Sequence, residues 1–196
     1  MRINQSYSSV AADTDGLGND VTGATFTLTA NSAGDSLAHK ITVLNNTATD
    51  HTGKTIALVG TGPNGEAQTE TLTGPNNAAT VTSTKHFLTL TSATPSATIG
   101  ADTFDIGWAA EAVTASIDVQ PRPGAGAYAL GISVDATGTP AYSLQQNYGG
   151  AAWFAHASIA TKTADADGSL LFPVMALRLI FTAASEVALD IVGIGQ

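Results

Sequence analysis

Lys54-Thr55-Ile56-Ala57-Leu58-Val59-Gly60 is a short apolar run, Gly62-Pro63-Asn64-Gly65 breaks it, and Glu66-Ala67-Gln68-Thr69-Glu70-Thr71-Leu72-Thr73 carries the chain back. Asn-Gly is a strong hairpin signal because both residues tolerate the positive φ that a tight reversal between twisted strands requires. A β-hairpin is therefore predicted at the head of a Thr-rich meander from Lys54 to Trp108. The same grammar, Thr or Ser alternating with an apolar residue, continues on both sides of it and sets the fold class.

Upstream, Ala24-Thr25-Phe26-Thr27-Leu28-Thr29-Ala30 alternates strictly and predicts a half-buried strand with Phe26 and Leu28 on one face. Leu37 to Leu44 predicts another, with Ile41 and Val43 inward. Downstream, Thr80-Val81-Thr82, His86 to Ser92, Thr103 to Trp108 and Val113 to Val119 repeat the pattern. Short strands with turn signals at such spacing predict an all-β protein, an antiparallel β-sandwich or barrel with no long helix. Pro121-Arg122-Pro123-Gly124-Ala125-Gly126 denies ladder donors and favours irregular backbone. It divides the chain into a polar N-terminal arm (1–20), a first β domain (21–120), a linker (121–127) and a second β domain (128–196). In the second domain Tyr128, Leu130, Ile132 and Val134 alternate, Tyr142 to Tyr148 forms a polar strand, and Asp165-Ala166-Asp167-Gly168 closes a segment.

The last two apolar runs suggest a hairpin through Ala183-Ala184-Ser185. Stepping outward from that loop places Arg178 opposite Asp190, Leu179 beside Leu189 and Phe181 beside Val187. One register satisfies both the apolar faces and an Arg178–Asp190 ion pair, which is how a strand pairing is specified.

The totals narrow the functional class. Among 196 residues, seven Lys and Arg against 16 Asp and Glu give a formal net charge of -9, which repels a phosphate backbone and disfavours nucleic acid. With no cysteine there is neither a disulfide nor a thiolate site. The first residues lack the basic-then-apolar pattern of a secretory signal, so synthesis in the cytoplasm of the host cell is expected, and no run is long enough to cross a bilayer as a helix.

Candidate chemistry is sparse. Asp13 and Asp15, with Gly18 at the sixth position, resemble the start of a calcium loop, but Leu17 and Ala24 stand where ligands belong, which leaves an Asx-rich turn or arm as the plainer reading. His39, His51, His86 and His156 show no two-ligand spacing and read as solvated or core-edge residues. Glu66 and Glu70 share a strand face, the commoner meaning of which is a solvated sheet surface. No nucleophile elbow, phosphate loop or dinucleotide fingerprint occurs, so no enzyme, cofactor or metal is expected. Tyr148, Trp153 and Phe154, with Tyr142 and Trp108, could be core, an interface anchor or a glycan platform.

Two groups of residues carry a resemblance. Gly60-Thr61-Gly62-Pro63-Asn64-Gly65 with Glu70-Thr71-Leu72-Thr73-Gly74, Thr84-Lys85-His86-Phe87 and Asp105-Ile106-Gly107-Trp108, and then Pro173-Val174 through Ala176-Leu177-Arg178 to Ile194, look like small β-rich virion proteins of tailed bacteriophages. The resemblance implies a β-sandwich, oligomerisation within a virion and no catalytic residues to transfer. The resulting expectation is a bacteriophage structural protein: a capsid decoration or cement protein on the capsid exterior, partnered by the major capsid protein and by its own copies. It would contact neither nucleic acid nor membrane. The alternative is a tail, fibre or head–tail accessory protein contacting host-surface glycans. The candidate interface residues are Tyr148, Trp153, Phe154 and Trp108.

Overall fold

The computed structural model describes residues 2–119 and 129–194. Fifteen strands follow one another: β1 (Arg2–Ser9), β2 (Asp13–Val21), β3 (Ala38–Asn45), β4 (Thr55–Thr61), β5 (Ala67–Thr73), β6 (Thr80–Phe87), β7 (Thr89–Pro95), β8 (Phe104–Val113), β9 (Ile117–Asp118), β10 (Ala129–Thr137), β11 (Tyr142–Asn147), β12 (Phe154–Ala155), β13 (Ala166–Leu170), β14 (Ala176–Phe181) and β15 (Ser185–Ile194). The described residues contain no helix, and the strand pairs are antiparallel, so the all-β expectation holds. The chain forms two units: residues 11–113, and residues 1–10 together with 114–196.

In the unit of residues 11–113, β4 and β5 pair from Thr55↔Thr73 to Thr61↔Ala67, as the Asn-Gly turn predicts. Gly65 takes φ 81 and donates to the Gly62 carbonyl at 3.0 Å. β7 completes this sheet on the other side of β4, with a register slip at Val59/Gly60. A Cβ on Gly60 would lie 2.0 Å from the Thr89 carbonyl oxygen, so only glycine lets the strands approach there. The facing sheet has β8 between β2 and β3, with β6 beyond β3. Leu17, Ile41, Val43, Phe104 and Ile106 from this sheet meet Ile56, Leu58, Leu72 and Leu90 from the other in one buried core. Residues 24–30 contribute to it without forming a strand. Phe26 is buried and Leu28 half-buried as the alternation requires, but their backbone makes only scattered bonds, Thr29 N to Leu17 O at 2.8 Å among them.

In the other unit, one sheet runs β1-β15-β10-β13 and the second holds β11 between β12 and β14, with β9 on the far side of β14. Leu130, Ile132, Val134, Leu189 and Ile191 of the first sheet, and Tyr142, Leu144, Leu177, Leu179 and Phe181 of the second, are all buried. Tyr7 on β1 meets Phe181 on β14 at 6.5 Å between ring centroids.

Two further sequence expectations change. Residues 1–20 are not an arm: Ile3 and Tyr7 alternate with Arg2, Asn4, Ser6 and Ser8, a polar version of the strand pattern, and β1 pairs with β15 along its whole length. β2 is Gly- and Asp-rich because it is bulged, with register shifts between Asp13, Gly18 and Val21. The predicted terminal hairpin is instead an arch. β14 and β15 lie in different sheets, β14 beside β11 and β15 between β1 and β10. Their apolar faces therefore meet across the sandwich rather than side by side, and alternation is satisfied equally by both arrangements. The predicted linker falls outside the described residues, as does Tyr128.

Candidate functional site

The arch separates Arg178 from Asp190, and the predicted ion pair does not form. Asp190 pairs with Arg2 at 2.8 Å. Arg178 donates from Nε to Gln145 Oε1 at 2.8 Å, consistent with the Gln145↔Arg178 register, and its guanidinium lies 4.2 Å from the centroid of the Trp153 ring. Burial pushes the Arg178 pKa down to about 10. The cation–π contact supplies part of the stabilisation that water would otherwise give.

The aromatic candidates separate by environment. Tyr142 is core, 1% exposed, with its hydroxyl donating to the Ala164 carbonyl at 2.8 Å; burial, helped by the Asp165 charge, raises its pKa to about 12. Trp108 is packed against the core of residues 11–113, donates from Nε1 to Ala11 O at 2.9 Å, and covers Gly16 so closely that a Cβ there would lie 2.4 Å from the indole. Its side chain is half-buried. Tyr148 and Phe154 do come together at the end of β11, 5.8 Å apart. Phe172 stacks on Tyr148 at 6.0 Å and 28°, a member the sequence reading missed. Tyr148, Phe154 and Phe172 are 46%, 51% and 48% exposed, and Leu171 beside them is 75% exposed. Leu170-Leu171-Phe172 held the missing signal: three successive apolar residues in a period-two segment cannot all face inward. Leu170 does, at 1% exposed.

Gln146 lies under this patch. Its Nε2 donates to the Tyr148 hydroxyl at 2.7 Å, while Gln146 Oε1 is buried with no partner among the described residues. Asn147 donates to the Gly150 and Ala152 carbonyls at 2.7 and 2.8 Å and fixes the loop that presents Trp153 and Phe154.

The histidines are buried or partly buried, not solvated. Three of them hold carboxylates: His39 Nε2 to Asp35 Oδ2 at 2.8 Å, His51 Nε2 to Asp102 Oδ2 at 3.0 Å, and His86 Nε2 to Glu111 Oε1 at 2.9 Å. His39 Nδ1 also faces the Ala109 carbonyl at 3.0 Å. His51 Nδ1 receives Lys54 Nζ at 3.1 Å, which fixes the tautomer that donates to Asp102. Burial alone would raise the Glu111 pKa, but Lys40 at 2.8 Å and His86 outweigh it and hold the carboxyl below its ordinary value. His156 takes a contact from the Ser158 hydroxyl at 3.2 Å and packs beside β13. Each ring is committed to neighbouring groups, and no set of three ligating side chains gathers among the described residues.

Glu66 and Glu70 also have structural partners. Glu66 accepts from Asn64 N at 2.9 Å, and Glu70 accepts from Thr84 N and Lys85 N at 2.8 and 2.9 Å, bridging β5 to β6. Asp13 and Asp15 are half-buried on β2, and a hydrogen bond with the Asp13 side chain raises the Asp15 pKa.

Comparison with protein families finds no match, and no curated protein is similar to the chain.

Proposed function

We propose that the chain is a bacteriophage virion structural protein, a capsid decoration protein that binds the outer surface of the shell through its contact with the major capsid protein and stabilises it. The observation that carries this reading is the exposed ring cluster of Tyr148, Phe154 and Phe172, with the exposed Leu171 next to Phe172 in the chain. Contiguous apolar surface of this kind marks an attachment site, and aromatic anchors dominate the energy of such contacts. Arg178, Gln145 and the Asn147-held loop fix the rim of the patch, so little side-chain freedom is lost on docking. The net charge of -9 suits a surface facing away from packaged nucleic acid. Many symmetry-related copies on a shell convert modest single contacts into high avidity.

Binding of purified protein to shells that lack it tests this reading. The wild type should saturate the shell, and a Phe154→Ala/Phe172→Ala double variant that folds normally should bind at least tenfold more weakly. Equal binding by the two would remove the patch from the account. A second reading, a tail or fibre protein that contacts host glycans, draws on Trp153 flanked by Arg178 and Gln145, an aromatic face with polar hydrogen-bonding neighbours. Glycan-array binding that disappears in Trp153→Ala would favour it.

A further inference from the structure

The edges of the sheets are defended unequally. β13 is five residues long, carries the exposed Asp167, and is crowded by the segment at 156–159: a Cβ on Gly168 would lie 2.7 Å from Ser158 Oγ. β5 is bridged to β6 through Gln68 and Glu70, with Gln68 Nε2 donating to His86 O at 2.6 Å. β7 gives a carbonyl to Phe26 N and takes one from Asn31 through Leu90 N. These are the ways natural sheets stop an edge from templating another strand.

β1 has none of them. It is eight residues long, pairs with β15 without a register shift from Arg2↔Val192 to Ser9↔Ser185, and contains no proline, glycine or bulge. Its one charge, Arg2, is matched by Asp190 at the strand end. Arg2, Asn4, Gln5, Ser6 and Ser8 are exposed. Among the described residues no strand lies beyond β1, so alternate residues turn their N–H and C=O groups away from β15 with no described strand to meet them.

We propose that β1 is a pairing edge for β1 of a second copy of this chain, antiparallel about a two-fold axis through Gln5. Register follows from the side chains. Ile3 and Tyr7 lie on the core-facing side, where Tyr7 touches Phe181, yet both are only half-buried. An axis through Gln5 sets Ile3 opposite Tyr7 of the second copy, twice, and continues the apolar layer across the seam; Arg2 then falls opposite Ser8, so no charges oppose. An axis through Ser6 would instead set Ile3 opposite Ser9 and Tyr7 opposite Gln5, covering less apolar surface. Such a contact is isologous and closes at two copies, and its affinity comes from main-chain bonds plus these flanking side chains. This pairing needs no capsid and does not rest on the virion reading, so its test can fail while shell binding stands.

Analytical ultracentrifugation of the full chain over a concentration series is the test. The mass should climb from 19.7 kDa toward twice that value and stop there. Gln5→Lys and Gln5→Glu each place like charges directly opposite at the axis. Each variant alone, shown to be folded by circular dichroism and an unchanged melting temperature, should stay at 19.7 kDa, whereas an equimolar mixture should recover the doubled mass. A wild type that is monomeric at every concentration, a dimer that survives in Gln5→Lys, a mixture that does not associate, or an open ladder of higher masses would each overturn the proposal.

Discussion

Replacing Gly107 by alanine puts one methyl group where the backbone leaves no room. Gly107 is buried on β8, and its Cβ would stand 1.9 Å from the Asp13 carbonyl oxygen and 2.5 Å from the Thr14 carbonyl carbon of β2. Ordinary contact begins near 3.4 Å, so β2 must retreat by about 1.5 Å. The obstructing atoms are main chain and cannot rotate away. Overpacking typically costs ~1–3 kcal/mol, and an immovable neighbour puts this site near the upper end. For a unit of this size each kcal/mol lowers the melting temperature by ~4–8 °C, so a drop of about 10–20 °C is expected. Trp108, adjacent in sequence and hydrogen-bonded to Ala11 at 2.9 Å, reports the event through its fluorescence once Trp153 is replaced by phenylalanine. Gly53→Ala is the control, because nothing lies within 4 Å of its added Cβ. It should be neutral or gain a few tenths of a kcal/mol from a stiffer unfolded chain. Equal melting temperatures for the two variants would refute the close approach of β8 and β2.

Other perturbations probe the ionisable groups. The Glu111 carboxyl titrates below its ordinary value of 4.5, so its contribution is complete above pH 4.5 and lost as pH falls through the lowered value; Glu111→Gln should flatten the acid limb of a stability-versus-pH curve. Tyr142 runs the other way: its neutral form is favoured by folding, so stability present below pH 10 falls as pH rises toward about 12, and Tyr142→Phe should remove that alkaline slope while costing ~1 kcal/mol at neutral pH for the lost bond to Ala164. Arg178→Gln should shift the emission of Trp153, read in a Trp108→Phe background, and cost ~0.5–2 kcal/mol; unchanged emission would contradict the stacked guanidinium.

Much of the fold was legible where local chemistry decides it. Asn64-Gly65 marked the β4–β5 reversal because φ > 0 is needed there and few residues supply it. Period-two alternation picked out Leu130, Ile132, Val134, Leu177, Leu179 and Phe181 as core, and all are buried. Alternation fixes which way a side chain faces but not which strand lies beside it. That is why Arg178 and Asp190 looked like cross-strand partners and belong to different sheets. β1 escaped notice because an edge strand with one half-covered face can be nearly all polar. The aromatic patch was half legible: Tyr148 and Phe154 are close in sequence, while Phe172 arrives from a distant segment. Two of the His–carboxylate pairs, His51–Asp102 and His86–Glu111, are long-range contacts with no local sequence signal. Asp35 and His39 are four residues apart across a turn and could have been suspected.

Attachment to the outside of a phage shell, as proposed above, is tested by counting copies in purified particles. Gel densitometry of intact virions, before and after surface proteolysis, should show the chain present in proportion to the major capsid protein and accessible from outside. A chain present in only a few copies per particle, or shielded until the shell is opened, would contradict the account.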